Sequence, residues 1–491
     1  MGGRGLRRAL TAVPAAVQAP VDRALALARA ELEVPTAFPD DVAAEAERAA
    51  GERVPARSTR HADATDVPFV TVDPPGSRDR DQAVHVARDG DGYRVRYAIA
   101  DVGFWVDRGG AVEREAWRRG VTYYAPDRRD GLYPPALSEG AASLLPDGVR
   151  PAVVFDAALD ARAEVRAWAV ARALVRSRAQ LTYAELQEPA AHARAPWFET
   201  LALLAEVGPL RLAREAERGG VSLPVRTQHV QRRAAAALGY ELVYEAPIPA
   251  EAWNAQISLL TGHLAATRML EAGVGLLRTM PPFTERDVGT FRRIARTLGF
   301  AWPDGTSYAE FMRAVGPGHP RVDVLVRQAQ RVMRGAEYVA FEGAPPAQPL
   351  HGALAFAYAH TTAPLRRLAD RYVLDLLVTL SAGGRPPEAE VATLRALAPV
   401  MAASTRRANA LERRAVDVGE AWALRERVGE LLPAVAVDVR GAEVEVQLDE
   451  PPVRASVTAG AGGPPPLGAP VSVRLAGVDV EAGAVRLELA G

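Results

Sequence analysis

Residues 70–84 read VTVDPPGSRDRDQAV, and the reading of this stretch decides the fold. The β-branched run that ends at Asp73 has the character of a buried strand, Pro74-Pro75-Gly76 breaks it, and an apolar pattern resumes after Asp81. A short loop thus separates Asp73, at the end of one strand, from Asp79 and Asp81, at the start of the next. Asp79 and Asp81, two apart in extended chain, can face the same way, so all three carboxylates can converge. Oxygen-only donors of this kind suit magnesium or manganese rather than zinc. Two such ions about 3.5–4 Å apart can activate water and stabilise the leaving oxygen of a phosphodiester. Read alone, the same residues also describe a solvated Asp-rich turn. An EF-hand is excluded, because flanking helices and a terminal glutamate are missing.

Strands continue on either side of this loop. DQAVHVA and YRVRYAIADV flank Asp89-Gly90-Asp91-Gly92, a strong hairpin turn, and AVVFDAAL and AEVRAWAVARALV form a second hairpin through Asp160-Ala161-Arg162. After Leu181 the spacing becomes mostly helical for over two hundred residues, in LTYAELQ and in the runs Ala252 to Leu270, Arg286 to Leu298 and Val391 to Leu431. From about Ala434 the pattern turns to strands again, with a Gly/Pro-rich loop at 459–468, and its length suits a five-stranded OB barrel. Ahead of the first strand, Pro20 opens an apolar-periodic helix that Pro35 stops, and Asp40 caps a second helix ending at Gly51. This pair is either a helix-turn-helix or a packing cap.

Composition sets bounds on the class. A chain of 491 residues is expected to hold two to four domains at roughly 100–200 residues each. Its 48% apolar and 24% charged residues are those of a globular chain, and no window approaches the ~18 apolar residues of a membrane span. Cysteine is absent, which excludes disulfides, thiolate metal sites and a cysteine nucleophile. The first twenty residues do not read as a cleaved export signal, because Thr11, Pro14 and Gln18 break the apolar stretch, so a cytoplasmic protein is expected. The net charge of −1 announces no nucleic-acid partner, and every basic side chain is arginine, a bias that a GC-rich genome explains.

A second constellation lies at Tyr358-Ala-His360-Thr361-Thr362-Ala363-Pro364-Leu365-Arg366-Arg367. Guanidinium groups beside a metal–phosphate centre neutralise charge that develops on the phosphoryl oxygens. In an arginine-rich chain the same pair also fits a solvated helix face.

Together these residues resemble the catalytic domain of the ribonuclease II / ribonuclease R (RNB) family of hydrolytic 3'-to-5' exoribonucleases. The first block resembles that family's Asp-x5-Asp-x-Asp-Asp motif, followed by Ala98 to Val102. GVTYYAPDRRDGLYPPALSEGAASLLPDGVRPA is similar to its Tyr-x-Pro-Asp-Arg stretch, VRSRAQLTYAELQ to a further block, and HGALAFAYAHTTAPLRRLADRY to its His-x-Thr-Ser-Pro-Ile-Arg-Arg-Tyr motif. The blocks occur in family order from about residue 66 to 425. The resemblance implies an α+β multidomain protein: an N-terminal helical module at 1–60, an RNB-type catalytic domain with a mixed sheet and surrounding helices at 61–432, and a C-terminal OB-type barrel at 433–491.

The resemblance also implies roles. Asp73, Asp79 and Asp81 fall on the first three metal-site aspartates, for Mg²⁺ or Mn²⁺, and Asp81 with Arg366 and Arg367 on the catalytic set. Gln82 stands at the fourth metal position and brings an oxygen without charge, for which Asp101 or an RNA phosphate is expected to compensate. Tyr124 matches an aromatic that stacks on a terminal base, Tyr358 and His360 belong to the RNA-facing block, and Glu412 lies where a glutamate shapes the end of the channel. Ala363 and Leu368 replace the usual serine and tyrosine. The family usually places two cold-shock-type barrels before the catalytic domain, whereas about sixty residues here read as helices. The expected function is hydrolysis of single-stranded RNA from the 3' end to 5'-mononucleotides, by a monomer. The alternatives are a catalytically weakened RNA-binding protein of the same fold and a phosphohydrolase acting on small nucleotides.

Overall fold

A computed structural model of the chain describes residues 15–223, 227–232, 240–316, 319, 321–451, 453–460 and 462–490. The reading of residues 1–14 against an export signal lies outside the described residues, as does position 461 of the Gly/Pro-rich loop. Two helices, α1 (Ala15–Glu31) and α2 (Asp40–Glu52), precede strands β1 (Ala62–Val72), β2 (Gln82–Asp89) and β3 (Gly92–Ala100). Helix α3 (Ala111–Arg119) and the paired short strands β4 (Tyr123–Tyr124) and β5 (Arg129–Asp130) lead into β6 (Val149–Leu159) and β7 (Val165–Leu181).

The mixed sheet expected from the sequence is a closed barrel in the order β1-β2-β3-β6-β7. Its neighbours are antiparallel except β1 and β7, which close the barrel in parallel through pairs such as Val70↔Ala179 and Thr71↔Gln180. Both predicted hairpins are present, β2 to β3 with Asp89 opposite Gly92 and β6 to β7. Gly90 takes the positive φ of 61° that the tight turn needs. Phe69, Val70, Val84, Val95, Ile99, Val153 and Val175 are buried in a core that continues into the surrounding helices. The closed barrel fixes the exit of β1 and the entry of β2 at one rim, where Asp73 N–H donates to Leu181 O and Ala100 N–H to Asp81 O.

Next come α4 (Tyr183–Gln187), α5 (Phe198–Glu217), β8 (Thr227–Arg232), β9 (Tyr240–Glu245), α6 (Pro249–Ala272) and β10 (Val274–Thr279). They are followed by α7 (Glu285–Thr297), α8 (Tyr308–Ala314), α9 (Val322–Val332), β11 (Glu337–Glu342), β12 (Leu350–His351) and β13 (Phe356–Ala357). This region is mostly helical, as its periodicity implies, but among the described residues three two-stranded sheets interrupt it, β8 with β9, β10 with β11 and β12 with β13. Such short strands carry too few residues for a period of two to stand out. Helices α10 (Leu368–Ser381) and α11 (Glu388–Leu424) complete the middle of the chain. Here the structure corrects the sequence reading, because the long helix ends at Leu424 and Leu431 already belongs to a strand.

The tail is the five-stranded antiparallel unit of OB type expected there. It consists of β14 (Leu431–Arg440), β15 (Glu443–Leu448), β16 (Arg454–Thr458), β17 (Pro470–Asp479) and β18 (Ala484–Leu489), in the order β16-β15-β14-β17-β18. Leu432, Val444, Val446, Leu448, Val473 and Leu475 form its own core.

The two N-terminal helices are packed down onto the rest of the chain. Val21, Ala24 and Leu25 of α1 bury against Val418 and Trp422 of α11 and Tyr240 of β9. The Arg29 guanidinium, 3% exposed, donates to Asp130 at 2.7 Å and to both Asp127 oxygens at 2.8 and 2.9 Å. Glu45 of α2 accepts from the Ala111 and Val112 N–H groups and so caps α3. Helix α2 carries Asp40, Asp41, Glu45, Glu47 and Glu52 against Arg48 alone, a poor match for a polyanion. The geometry therefore favours the packing cap over a helix that grips nucleic acid. Replacing Arg29 with Met leaves the Asp130 carboxylate, 1% exposed, with only the exposed Arg128 guanidinium, 3.1 Å away. Stability of the whole chain to denaturant is expected to fall by about 1.5–3 kcal/mol. A loss below ~1 kcal/mol would show that α1 is not an integral part of the fold.

Candidate active site

The loop from Asp73 to Asp81 is held by its own backbone and by one serine. Gly76 adopts a φ of 81°, Ser77 N–H and Oγ–H both donate to Pro74 O, and Ser143 Oγ donates to Arg78 O while accepting from Arg80 N–H at 2.8 Å. Leu144 N–H donates to Arg80 O, so the segment between Asp79 and Asp81 has no freedom to slide. Opposite it, the backbone of Arg366 and Arg367 is pinned along Val121 and Thr122, with Thr122 N–H donating to Arg366 O at 3.0 Å.

Asp81 joins the two segments. One carboxylate oxygen accepts from Leu365 N–H at 2.7 Å and the other stands 3.2 Å from Arg366 Nε. The residue is 3% exposed, and its carboxyl is pushed up to about 8, first by burial and then by the nearby Asp79 and Asp370 charges, against the opposing pull of Arg366. Burial likewise raises Asp73, with the Arg80 guanidinium 2.8 Å away pulling the other way. Asp79 pairs with Arg129 Nη1 at 2.6 Å and accepts from the Tyr124 hydroxyl at 3.2 Å. Each of the three aspartates thus faces its own arginine. Arg80, Arg129 and Tyr97 were not singled out by the sequence, since nothing distinguishes these arginines from the many others until the fold aligns them.

Arg366 and Tyr124 are the open side of the site, their side chains 47% and their residue surface 48% exposed respectively. Arg367 is turned inward, where Asp370 accepts from its Nη2 at 2.7 Å and also from Ala363 N–H. The spacing of Arg367 and Asp370, three apart at the start of α10, is the signal that would have found this clamp in the sequence. It explains how the arginines stay in place with Ala363 and Leu368 at their positions.

Both ends of the Gln82 amide are hydrogen-bonded within the protein. Its Oε1 accepts from the Tyr97 hydroxyl at 2.6 Å and its Nε2 donates to Thr362 O. Asp101, expected to compensate for Gln82, does not reach the site. It is bound to His61 Nε2 at 3.0 Å and Arg172 Nε at 2.9 Å, and that pairing holds its carboxyl low. Tyr358 is buried and meets His360 edge-on at 5.5 Å, while His360 Nδ1 lies 2.6 Å from the Tyr338 hydroxyl. Both therefore sit behind the arginine pair rather than on the open side. Glu412 is exposed on α11.

Among the described residues no three Asp, Glu or His side chains already stand close enough together to hold a metal ion. The donor set still fits a hard divalent cation. Asp73, Asp79 and Asp81 offer only oxygens, buried Asp73 Oδ2 has the Arg80 ion pair but no well-aligned hydrogen bond, and Asp81 is a carboxylate that burial and like charge make costly to ionise alone. Arg80, Arg129 and Arg366 pair with the three carboxylates.

A sequence profile described as RNB domain matches residues 61–382, and one described as RNase II-type exonuclease C-terminal S1 domain matches residues 430–490. Ribonuclease R of Aquifex aeolicus is 27% identical over 434 residues, which cover 85% of this chain and 60% of that protein. Ribonuclease R of Escherichia coli is 27% identical over 337 residues, or 63% of this chain and 39% of that protein, so the chain spans only part of the length of these relatives. In fold it is similar to Mycoplasma genitalium RNase R in complex with ribose methylated single-stranded RNA, with a TM-score of 0.83 at 17% identity over 95% of this chain and 77% of that one. It is also similar to yeast Ssd1, a pseudonuclease, with a TM-score of 0.65 at 16% identity over 87% of this chain and 52% of that one.

Burial, and then the Arg367 and Arg278 charges, hold the His360 imidazole well below its usual value, so it is neutral in the folded protein. Only the unfolded chain takes up that proton. The contribution to stability is therefore complete above about pH 6.5 and is lost as the solution becomes more acid. In NMR spectra the His360 ring proton is expected to stay at its neutral shift from pH 8 down to about 5.5, and a midpoint near 6.5 would contradict this arrangement.

Proposed function

The chain belongs to the RNB family, and from that premise we propose that it is a metal-dependent exoribonuclease that hydrolyses single-stranded RNA from the 3' end to 5'-mononucleotides. The observation that carries this reading is the meeting of Asp79 and Asp81 with Arg366 and the exposed Tyr124, contributed by segments 284 residues apart.

In this reading Asp73, Asp79 and Asp81 hold Mg²⁺ or Mn²⁺, which when bound lowers the pKa of water and stabilises charge on phosphoryl oxygens. Arg366, half exposed and already directed at Asp81, exchanges that carboxylate for the scissile phosphate and stabilises the charge that develops there. Arg367 stays clamped to Asp370 and fixes the loop from which Arg366 projects. Tyr124 stacks on a terminal base, an interaction worth ~1–3 kcal/mol that accepts any base and so suits degradation without regard to sequence. Tyr358 and His360 back the arginine loop along the RNA path, and Glu412 shapes its far end. Gln82 serves the site through Tyr97 and Thr362 and orients the start of β2 rather than adding charge. Residues 1–60, 61–432 and 433–491 act as packing helices, catalytic domain and RNA-binding barrel of one monomer in the cytoplasm. No helix among the described residues is long and apolar enough to cross a membrane.

A second reading, a non-catalytic RNA-binding protein, is favoured by the neutral Gln82, bonded at both ends of its amide, and the likeness to a pseudonuclease supports it. Incubation with 5'-labelled single-stranded RNA, with and without Mg²⁺, separates the two: shortening from the 3' end only with the ion supports the enzyme, and binding without shortening supports the alternative. Asn in place of Asp81 is tolerated by the fold, because the buried carboxyl is already close to neutral, with its value near 8. Asp81→Asn is expected to abolish release of mononucleotides with little change in thermal midpoint, and undiminished release would refute the metal assignment. Arg366→Ala is expected to lower turnover ~10²–10³-fold while leaving RNA affinity within a few-fold, since most binding comes from elsewhere along the RNA path. Equal losses in both would mean that the arginine only binds.

A further inference from the structure

Arg80 differs from the other two arginines of the carboxylate cluster in its freedom to move. The Arg129 and Arg366 side chains keep 24% and 47% of their surface in solvent and can swing away when a ligand arrives. The Arg80 side chain keeps 2%, and its backbone is fixed on both sides by Ser143 and Leu144. Its Nη1 stands 2.8 Å from Asp73 Oδ2, while Nε and Nη1 lack any well-aligned hydrogen-bond acceptor. A guanidinium does not give up its proton in a protein, so Arg80 is a permanent positive charge facing Asp73.

The charges then count out simply. Ionised, as a bound dication requires, Asp73, Asp79 and Asp81 bring three negative charges, and Gln82 brings none, its amide being engaged by Tyr97 and Thr362. Arg80 cancels one of the three in place. The two that remain, on Asp79 and Asp81, are paired with arginines that can leave, Arg129 toward Glu139, which it already meets at 2.5 Å, and together they balance one divalent ion.

We propose that Arg80 is a built-in cation that takes the place of a second metal ion, so that the cluster binds a single divalent ion against Asp79 and Asp81 while Arg80 neutralises and positions Asp73. A second dication here would stand beside an immovable guanidinium with no carboxylate charge left to offset it. This deepens the reading of the site as a metal centre and rests on it.

Mn²⁺ added to the full chain, alone and with uridine 5'-monophosphate, is counted by loss of the free-ion EPR signal. The wild type is expected to bind one ion per chain in both conditions, and Arg80→Met, which removes the competing charge, to bind Mn²⁺ at least about tenfold more tightly. Two ions in the wild type, or an affinity unchanged in Arg80→Met, would overturn the inference. No ion in either protein would overturn instead the metal reading beneath it. Should Arg80→Met not fold, the wild-type count decides by itself, together with Arg80→Lys, which keeps the charge and is expected to keep the count at one.

Discussion

The buried carboxylate of Asp81 is the constraint on which the site depends. It accepts from Leu365 N–H and faces Arg366, and so ties the rim of the barrel to a segment 284 residues away in the chain. A carboxylate this deeply buried is tolerated only where hydrogen bonds and opposite charge surround it. That requirement fixes the register of the arginine loop against β2, and with it the position of every other group nearby. The closed barrel supplies the rigid frame, since the residues flanking Asp81 are held between β2 and β3 and cannot yield.

The electrostatics of the cluster follow from a chain whose net charge is −1 and whose cations are all arginines. No global field draws a polyanion toward the protein, so under the proposed function the attraction is local. It arises where guanidinium groups are paired with carboxylates by the fold but remain exposed enough to exchange partners, as Arg129 and Arg366 are. The same residue type, when locked in place, does the opposite. Arg80 and Arg367 are immobilised against Asp73 and Asp370 and act as parts of the scaffold. Burial fixes Arg80, whereas Arg367, as exposed as Arg129, is fixed by its clamp on both Asp370 oxygens.

Much of this was legible in the sequence because it is local. The Asp73-to-Asp81 loop, both barrel hairpins and the strands of the tail each carry their signal within a dozen or so residues, in turn chemistry and alternation. The aspartate triplet and the arginine pair were legible for the same reason. What escaped were features that only long-range pairing creates. Nothing near Arg80 or Arg129 marks them as partners of Asp73 and Asp79, and Gln82 is explained only when Tyr97 and Thr362 arrive beside it. Asp101 looked available because it lies close in sequence, but the fold gives its carboxylate to His61 and Arg172. The end of α11 was read too far because Leu431 continues the apolar spacing, although it already pairs with Arg474 across the tail sheet.

The most direct test of the account is a crystal of the protein soaked in Mn²⁺ with a terminal nucleotide, viewed by anomalous scattering. The account predicts a peak between the Asp79 and Asp81 carboxylates, with Arg366 released from Asp81 and turned to the phosphate. An empty site in which all three arginines still hold their aspartates, with the nucleotide bound, would contradict it.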